Sequence, residues 1–516
     1  MKKNFSLALL TGILFALSFP PFKTGFLAYG ALVPLFLLII DKSGKDAWRW
    51  GYISGLFIAC TTVFWIGWIT LPGLIGVLLV WPLYIAFFAW LFSRFHLALK
   101  NVAFVFVPFL WTAIEYFQSV TELAFPWVYL GYTQSYYLPL IQFAELTSVY
   151  GVSFWVVLLN TLIFQILQNR KKHRKALLWA AIVFLCWIIP FIYGTYVMKA
   201  KYQGSDTVRV TLVQANLDPN EKWSPNLYDR NFGIYENLTV NEFSKQPDLV
   251  VWPETAITFY LRSEAKYQKR IHDLIDSSRV SLLTGSLDYQ YLADGSYVYY
   301  NAAFLIEPQQ SEFQSYSKMK LVPFSERVPY NKFIFFKLIK KAFWNLGLGD
   351  YAIGEKINIF TAYRRDTALQ ERQADIRPSK PDYKTAVAIC YESVFPSHIQ
   401  KYVNEGANFL VIITNDAWFG PTSAPFQHNQ IAVFRAIETR KAIARCANTG
   451  ISCFIDKFGR VDQSTRFFTQ KVITGDVQVN DESTFFLRHG LWFVKLNYLI
   501  CGIALLYILT ISIKRS

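Results

Sequence analysis

Apolar and polar positions divide this chain into two regimes. Apolar runs at 5–20, 25–40, 51–71, 74–94, 102–119, 152–168, 177–198 and 492–513 predict eight membrane-spanning helices. A crossing needs ~20 apolar residues, with ~17 as the lower limit, and the first, second and sixth runs sit at or slightly below it. Met1-Lys2-Lys3 followed by Leu7 to Phe19 has the shape of a signal peptide. Further apolar runs come at once, so the stretch reads as a retained first span. From 199 to 491 strand-like runs alternate with amphipathic ones. Strands are expected at 208–216, 249–252, 281–287, 299–306, 384–389, 409–414, 451–455 and 472–479, and helices at about 225–244, 262–278, 394–404 and 426–444. Sustained alternation of this kind predicts a layered α/β sandwich. The expected organisation is a transmembrane domain at 1–198, an extracytoplasmic domain at 199–491, and a final span with a cytoplasmic tail at 492–516.

Charge orients these segments. The net charge is +15, and the flanks of the apolar runs are rich in positive residues: Lys2 and Lys3; Lys42, Lys45 and Arg49; Arg94 and Lys100; Arg170 to Lys175; Lys514 and Arg515. With eight spans and a cytoplasmic N-terminus, all five groups fall on one side. The opposite short connections, 20–24 and 71–72, carry only Lys23. The positive-inside rule then places 199–491 outside the cytoplasm, in the periplasm of a cell that has one. The basic balance reads as attraction to anionic lipid, since no base-recognition motif accompanies it. Hydrophobic residues make up 53% and aromatics 18%, and the aromatic share suits membrane interfaces. The 119–151 connection is long, aromatic and nearly uncharged (Phe125-Pro126-Trp127-Val128-Tyr129). It is expected to lie in the outer interface or to re-enter the bilayer. Glu115, near a span end, reads either as a functional carboxylate or as one that snorkels or pairs with backbone. The polar 364–384 stretch reads as a surface insertion or mobile loop.

Six cysteines are scattered without CxxC or metal-ligand spacing. Cys60, Cys186 and Cys501 fall in apolar runs; Cys446 and Cys453 read as interior positions of neighbouring elements rather than a bridge. Cys390 ends the strand-like run 385–389, just before a turn at Phe395-Pro396. A lone cysteine is by default a core residue. Two distant segments change that reading. Trp252-Pro253-Glu254 and Tyr316-Ser317-Lys318 also end strand-like runs on a polar group. Carboxylate, amine and thiol suit acyl transfer: Glu254 takes the thiol proton, Cys390 attacks a carbonyl, and Lys318 donates to the oxyanion. A free thiol, with a pKa of about 8.5, needs such neighbours to react at neutral pH. His398 and His428 belong to no ligand pattern, so neither metal nor cofactor is expected. Arg435, Glu438, Arg440 and Arg445 read as a structural ion-pair network.

Four ordered motifs, Trp-Pro-Glu-Thr-Ala at 252–256, Tyr-x-Lys-x-x-Leu-Val-Pro-Phe at 316–324, Cys-Tyr-Glu at 390–392 and Asn-Asp-Ala-Trp-Phe at 415–419, resemble the nitrilase (carbon–nitrogen hydrolase) superfamily. With the spans, the whole chain resembles the bacterial apolipoprotein N-acyltransferase family. The resemblance implies a Glu254–Lys318–Cys390 triad and an αββα sandwich on the periplasmic face of the inner membrane. It also implies ping-pong transfer of an acyl chain, through a Cys390 thioester, from a phospholipid to the N-terminal amine of a diacylglyceryl-cysteine lipoprotein. Residue by residue, it implies that Glu326 orients the lysine and that Tyr391 supplies a backbone N–H to the oxyanion. It makes Glu392 a second glutamate near the nucleophile, and sets Trp223 and Trp418 near the substrate opening. Ser325 stands where family members usually have glycine.

Other readings stay beside these. Lys320 shares a strand face with Lys318, so periodicity does not separate them; the family register selects Lys318. Glu392 reads either as a salt-bridge partner or as a participant. Trp223 and Trp418 also fit interface anchors. A membrane-anchored amidase or nitrilase hydrolysing a C–N bond would share the triad but need only an anchor. A transporter would need buried ion pairs or paired broken helices that these spans do not show.

Overall fold

The computed structural model describes residues 1–199, 206–330, 350–365 and 382–515. The chain divides into two compact units, Met1–Ala200 with Arg488–Ser516, and Lys201–Leu487.

In the first unit, helices Lys2–Ser18, Gly44–Thr62, Leu71–Leu99, Ala103–Phe117, Ala144–Gln168, His173–Lys199 and Trp492–Arg515 carry most of the apolar runs. Among the described residues, four stretches are long and apolar enough to cross a membrane: Leu71–Phe117, Ala144–Gln168, His173–Lys199 and Trp492–Thr510. They take in the fourth to eighth expected runs. Eight is not reached on this measure, for local reasons. The first helix has only 17 residues, and the third opens on charged Lys45, Asp46 and Arg49. The second run is broken, with Gly25–Tyr29 a 3₁₀ turn and only Val33–Ile39 α-helical.

That break frees backbone groups that lipid cannot satisfy. Asn160 meets them: its Nδ2 donates to the Ala28 carbonyl at 2.7 Å and its Oδ1 accepts from Leu32 N at 2.8 Å. Helix contacts use small residues, as expected where lipid supplies no hydrophobic drive between helices. A Cβ on Gly51 would lie 2.7 Å from the Ala89 Cβ. The aromatic connection after Phe117 is buried within this unit. Tyr129 stacks on Tyr132 at 5.6 Å and leans on Tyr150 at 5.4 Å, and all three are buried. Glu115 takes the backbone-paired option: its Oε1 accepts from Leu130 N and Trp111 Nε1, both at 2.8 Å.

The second unit is built on two sheets. One runs β13 (Lys471–Gln478), β1 (Thr207–Gln214), β2 (Leu249–Val251), β4 (Ser281–Tyr291), β5 (Tyr297–Ile306), β6 (Gln314–Ser317), with β3 (Ile257–Tyr260) pairing β4 off this path. The other runs β12 (Val461–Asp462), β11 (Cys453–Ile455), β10 (Ile443–Ala447), β9 (Phe409–Thr414), β8 (Tyr383–Ile389), β7 (Phe360–Ala362). Strands β1, β2 and β4 are parallel, as are β8, β9 and β10. These strands are buried almost throughout and lack polar alternation, as parallel strands covered on both faces do. The sheets face each other: Cys446 Sγ on β10 lies 3.3 Å from the Val251 carbonyl on β2 and 3.6 Å from that of Val213 on β1. Helices Tyr228–Val240 and Ala265–Ser278 cover the first sheet, packing Phe232, Tyr235, Ile271 and Ile275 against Val250, Trp252 and Leu282. Helices Pro396–Asn404 and Ala424–Thr439 lie with the second sheet. The layer order is α-β-β-α.

The eight expected strands are all present with edges shifted by a few residues, β6 is the strand-like run expected to end at Lys318, and β3, β7, β10 and β12 were not expected. The expected helix 426–444 overruns. It ends at Thr439, Arg440 turns left-handed (φ 51°), and the chain re-enters the sheet at Ile443 as β10. Pairing with β9 and β11 on either side outweighs the local helical pattern there. Cys446 and Cys453 are both free and buried. Of the expected 364–384 insertion, 366–381 lies outside the described residues.

Candidate active site

Three chain reversals bring the predicted residues together. The first follows β2. Trp252, fully buried, stacks on Tyr235 at 5.0 Å and donates from Nε1 to Thr239 Oγ1 at 3.0 Å. This holds the turn that presents Glu254. Gly285 on β4 lets the turn sit close, since a Cβ there would lie 2.7 Å from the Glu254 Cα. The second follows β6, where Lys318 N donates to the Asn301 carbonyl at 2.8 Å and the side chain is buried. Its Nζ donates to Glu254 Oε1 at 3.1 Å and to Glu326 Oε1 at 2.8 Å. Lys320, in contrast, is exposed, with its Nζ 5.3 Å from the Phe395 ring centroid. The structure therefore separates two lysines that periodicity could not. Glu326 also accepts from Val322 N at 2.9 Å. Phe324, not Ser325, takes the left-handed conformation here (φ 59°), so the serine needs none of glycine's freedom.

The third reversal is Cys390 itself. It leaves β8 with φ 51°, a left-handed value costing a non-glycine residue roughly 1–2 kcal/mol, and is partly exposed. Glu392 anchors both reversals from behind. It is fully buried. Its Oε1 accepts from Met319 N at 2.6 Å, Lys320 N at 3.2 Å and Tyr316 Oη at 2.5 Å, and its Oε2 accepts from Ile389 N at 2.8 Å. One carboxylate thus ties the residues flanking Lys318 to the residue before Cys390. Burial opposes its charge, but His398, Tyr316 and the Ile389 N–H hold it below the usual carboxylate range. Tyr391 is buried, with its ring edge-on to Phe395 at 5.2 Å.

The electrostatics follow from these contacts. Burial alone would pull the Lys318 ammonium down; Glu254, Glu326 and Cys390 outweigh it and hold it well above the ordinary lysine range. Burial and then Glu254 push the Cys390 thiol well above its ordinary value, against Lys318. The Lys318 ammonium is shared between the Glu254 and Glu326 side chains. These surroundings favour the thiol form of Cys390 over the thiolate.

A family model described as carbon–nitrogen hydrolase matches residues 209–484, and one described as apolipoprotein N-acyltransferase N-terminal domain matches 11–162. A curated relative from Geobacter metallireducens named apolipoprotein N-acyltransferase is 34% identical over 95% of this chain and 92% of its own. One of the same name from Chlorobaculum tepidum is 32% identical over 95% and 93%. The chain belongs to the apolipoprotein N-acyltransferase family. Among solved structures, Saccharomyces cerevisiae Nit3, of the nitrilase superfamily, is 15% identical over 54% of this chain and 92% of its own, with a TM-score of 0.37.

In this member of the acyltransferase family, Asn301 and the burial of Lys222 escaped the sequence reading, whereas Asn415, Trp223 and Trp418 were named by it. Asn301 donates from Nδ2 to Glu254 Oε1 at 2.9 Å and to Glu326 Oε1 at 3.0 Å, bridging the two carboxylates. A buried asparagine opening the apolar run 302–306 was the available signal. Asn415 N donates to Glu254 Oε2 at 3.0 Å, which starts the Asn-Asp-Ala-Trp-Phe segment at the Glu254 carboxylate. Lys222 is buried, and its Nζ donates to the Thr255 carbonyl at 2.9 Å and to Thr255 Oγ1 at 2.5 Å. Burial outweighs the nearby Glu254 charge and lowers its ammonium to about 7. Trp223 follows it, partly exposed, 5.3 Å from the Lys222 Nζ. Trp418 is 40% exposed on the Asp416–Phe419 turn.

Proposed function

We propose that this enzyme moves an acyl chain from a membrane phospholipid to the N-terminal amine of a diacylglyceryl-cysteine apolipoprotein, in two half-reactions through a thioester on Cys390. In the first, Glu254 accepts the Sγ proton as sulfur attacks the ester carbonyl. The oxyanion is met by the Lys318 ammonium and the Tyr391 backbone N–H. Collapse expels the lysophospholipid alkoxide, which takes the proton back from Glu254 and leaves the thioester. In the second, the acceptor amine attacks the thioester, Glu254 takes the amine proton, and the departing thiolate recovers it.

The observation that carries this reading is the Glu254–Lys318–Glu326 array beside a left-handed Cys390, in a chain that also matches the acyltransferase N-terminal domain. A membrane-anchored amidase would use the array but not that domain. Both substrates live in the bilayer, and extracting them would cost roughly 0.8 kcal/mol per CH₂ exposed. In this reading the chain crosses the inner membrane eight times and residues 199–491 face the periplasm, supported by the placement of lysine and arginine. Glu326 and Glu392 are positioning residues for Lys318 and Cys390, and Trp223 and Trp418 contact the lipid substrates.

The test is incubation of the purified protein with acyl-labelled phospholipid and a diacylglyceryl-cysteine peptide. Label should appear on the peptide amine, through a hydroxylamine-sensitive intermediate on Cys390. Label on free fatty acid alone would sink the transferase reading, and a Cys390→Ser variant that still formed the thioester would sink the mechanism.

A further inference from the structure

Behind the nucleophile lies a charged cluster that the triad chemistry does not use. Asp416, His428 and Arg445 are all fully buried. Asp416 Oδ1 lies 2.9 Å from His428 Nδ1 and accepts from Thr414 Oγ1 at 2.7 Å; its Oδ2 accepts from Arg445 Nη2 at 2.9 Å. Burial opposes the charge, but Arg445 and His428 hold the Asp416 carboxyl well below the usual range. Arg445 Nη2 also lies 3.1 Å from Nδ1, so carboxylate and guanidinium together fix the ring's orientation. The other ring nitrogen then faces the nucleophile's backbone. His428 Nε2 lies 3.2 Å from the Cys390 carbonyl oxygen and 3.0 Å from Ser393 Oγ, and Ser393 Oγ donates to the same carbonyl at 2.8 Å. That carbonyl belongs to the residue with the left-handed φ, a conformation that L side chains resist and that surrounding contacts must impose.

We propose that His428 is a positioning residue for the nucleophile: held at Nδ1 by Asp416 and Arg445, its Nε2 edge buttresses Ser393 Oγ and the Cys390 carbonyl, and Ser393 Oγ donates to that carbonyl. The pinned carbonyl holds the backbone turn that aims Sγ at the acyl carbonyl beside Glu254 and Lys318. Nothing in the chemistry passes through the ring, so its loss slows thioester formation without weakening lipid binding. This inference rests on the proposed thioester mechanism.

Two isosteric replacements separate the two ends of the ring. An asparagine amide overlays Nδ1 and keeps a partner for Asp416, whereas a glutamine amide reaches the Nε2 position. In the full-length enzyme, H428N should slow single-turnover thioester formation from labelled phospholipid by about 30-fold or more, with KM for phospholipid within about 3-fold of wild type. H428Q should stay within about 5-fold of the wild-type rate. The opposite pattern, H428N active and H428Q inactive, would mean that His428 matters only as the partner of Asp416 and would overturn the inference. So would equal losses in both, a wild-type rate in H428N, or a loss confined to KM. Should H428N fail to accumulate, Ser393→Ala takes its place. It should slow the same step with KM unchanged, and a wild-type rate in S393A overturns the inference. A wild-type enzyme that forms no thioester overturns the proposed function, and this inference with it.

Discussion

In the proposed mechanism Glu254, Lys318 and Cys390 divide their work by contact, and each contact gives a rate expectation. Glu254→Gln keeps the bonds from Asn301 and Lys318 but cannot take a proton, so thioester formation should fall by ~10²–10⁴-fold. Lys318→Met removes the proposed oxyanion donor and strands two carboxylates; a loss of ~10²–10³-fold or more is expected. Lys320→Ala, at the exposed lysine two residues on, should stay within about 3-fold. A larger loss there would mean that the register is wrong. Glu392 predicts a stability effect instead. Replacing it with glutamine sets amide hydrogens against buried N–H donors and should cost ~2–4 kcal/mol. Its folded pKa lies below the unfolded value. Its contribution is therefore present above an unfolded Glu pKa of about 4.3 and lost as pH falls through the folded value. Melting curves of E392Q and wild type should differ at pH 7 and converge on acidification. Lys222 runs the other way. Its folded value is lowered from 10.5 to about 7. Between these values the unfolded chain binds more protons, so stability rises with pH across that window. Lys222→Met should flatten this rise in melts taken from pH 7 to 10.

At the scale of elements, two departures from sequence expectation share a cause. The expected helix runs on to 444, but the chain turns at Arg440 and forms strand β10 from Ile443, because parallel β9 and antiparallel β11 leave a slot between them. Residues 25–40 are apolar enough for a helix but break, because Asn160 supplies bonds that make an open backbone tolerable. Asn160→Leu should leave the Leu32 N–H and the Ala28 carbonyl unmet inside an apolar unit. A loss of ~1–3 kcal/mol is expected, read as a lower melting temperature in detergent with triad reactivity unchanged below it. The strands carrying Glu254 and Cys390 were legible because each is a short apolar run closed by a polar residue and proline. Strand β6, which presents Lys318, was legible only from its end at Tyr316-Ser317-Lys318: Gln314-Ser315-Tyr316-Ser317 has no apolar run and owes its pairing to β5.

For the whole molecule, the positive-inside assignment makes a direct prediction. In a Cys390→Ser background, a cysteine placed at exposed Asp294, in the β4–β5 turn, should react with an impermeant maleimide on intact spheroplasts. One at exposed Lys172, in the basic loop before the His173–Lys199 helix, should react only after permeabilisation. Reaction of both from the same side would break the eight-span topology.

What the sequence by itself determined is what periodicity, charge and local motif encode: an apolar part and an α/β part, the charge bias of each loop, and three polar side chains each ending a strand-like run. Tertiary structure alone decided which lysine is buried, and that Glu392 braces both reversals. It alone showed Asn301 bridging two carboxylates and an Asp–His–Arg cluster backing the nucleophile. These are contacts between residues tens to hundreds of positions apart, from Glu254 to Asn415 and from Cys390 to His428. A hydrogen bond depends on distance in space, and local sequence pattern carries no record of it.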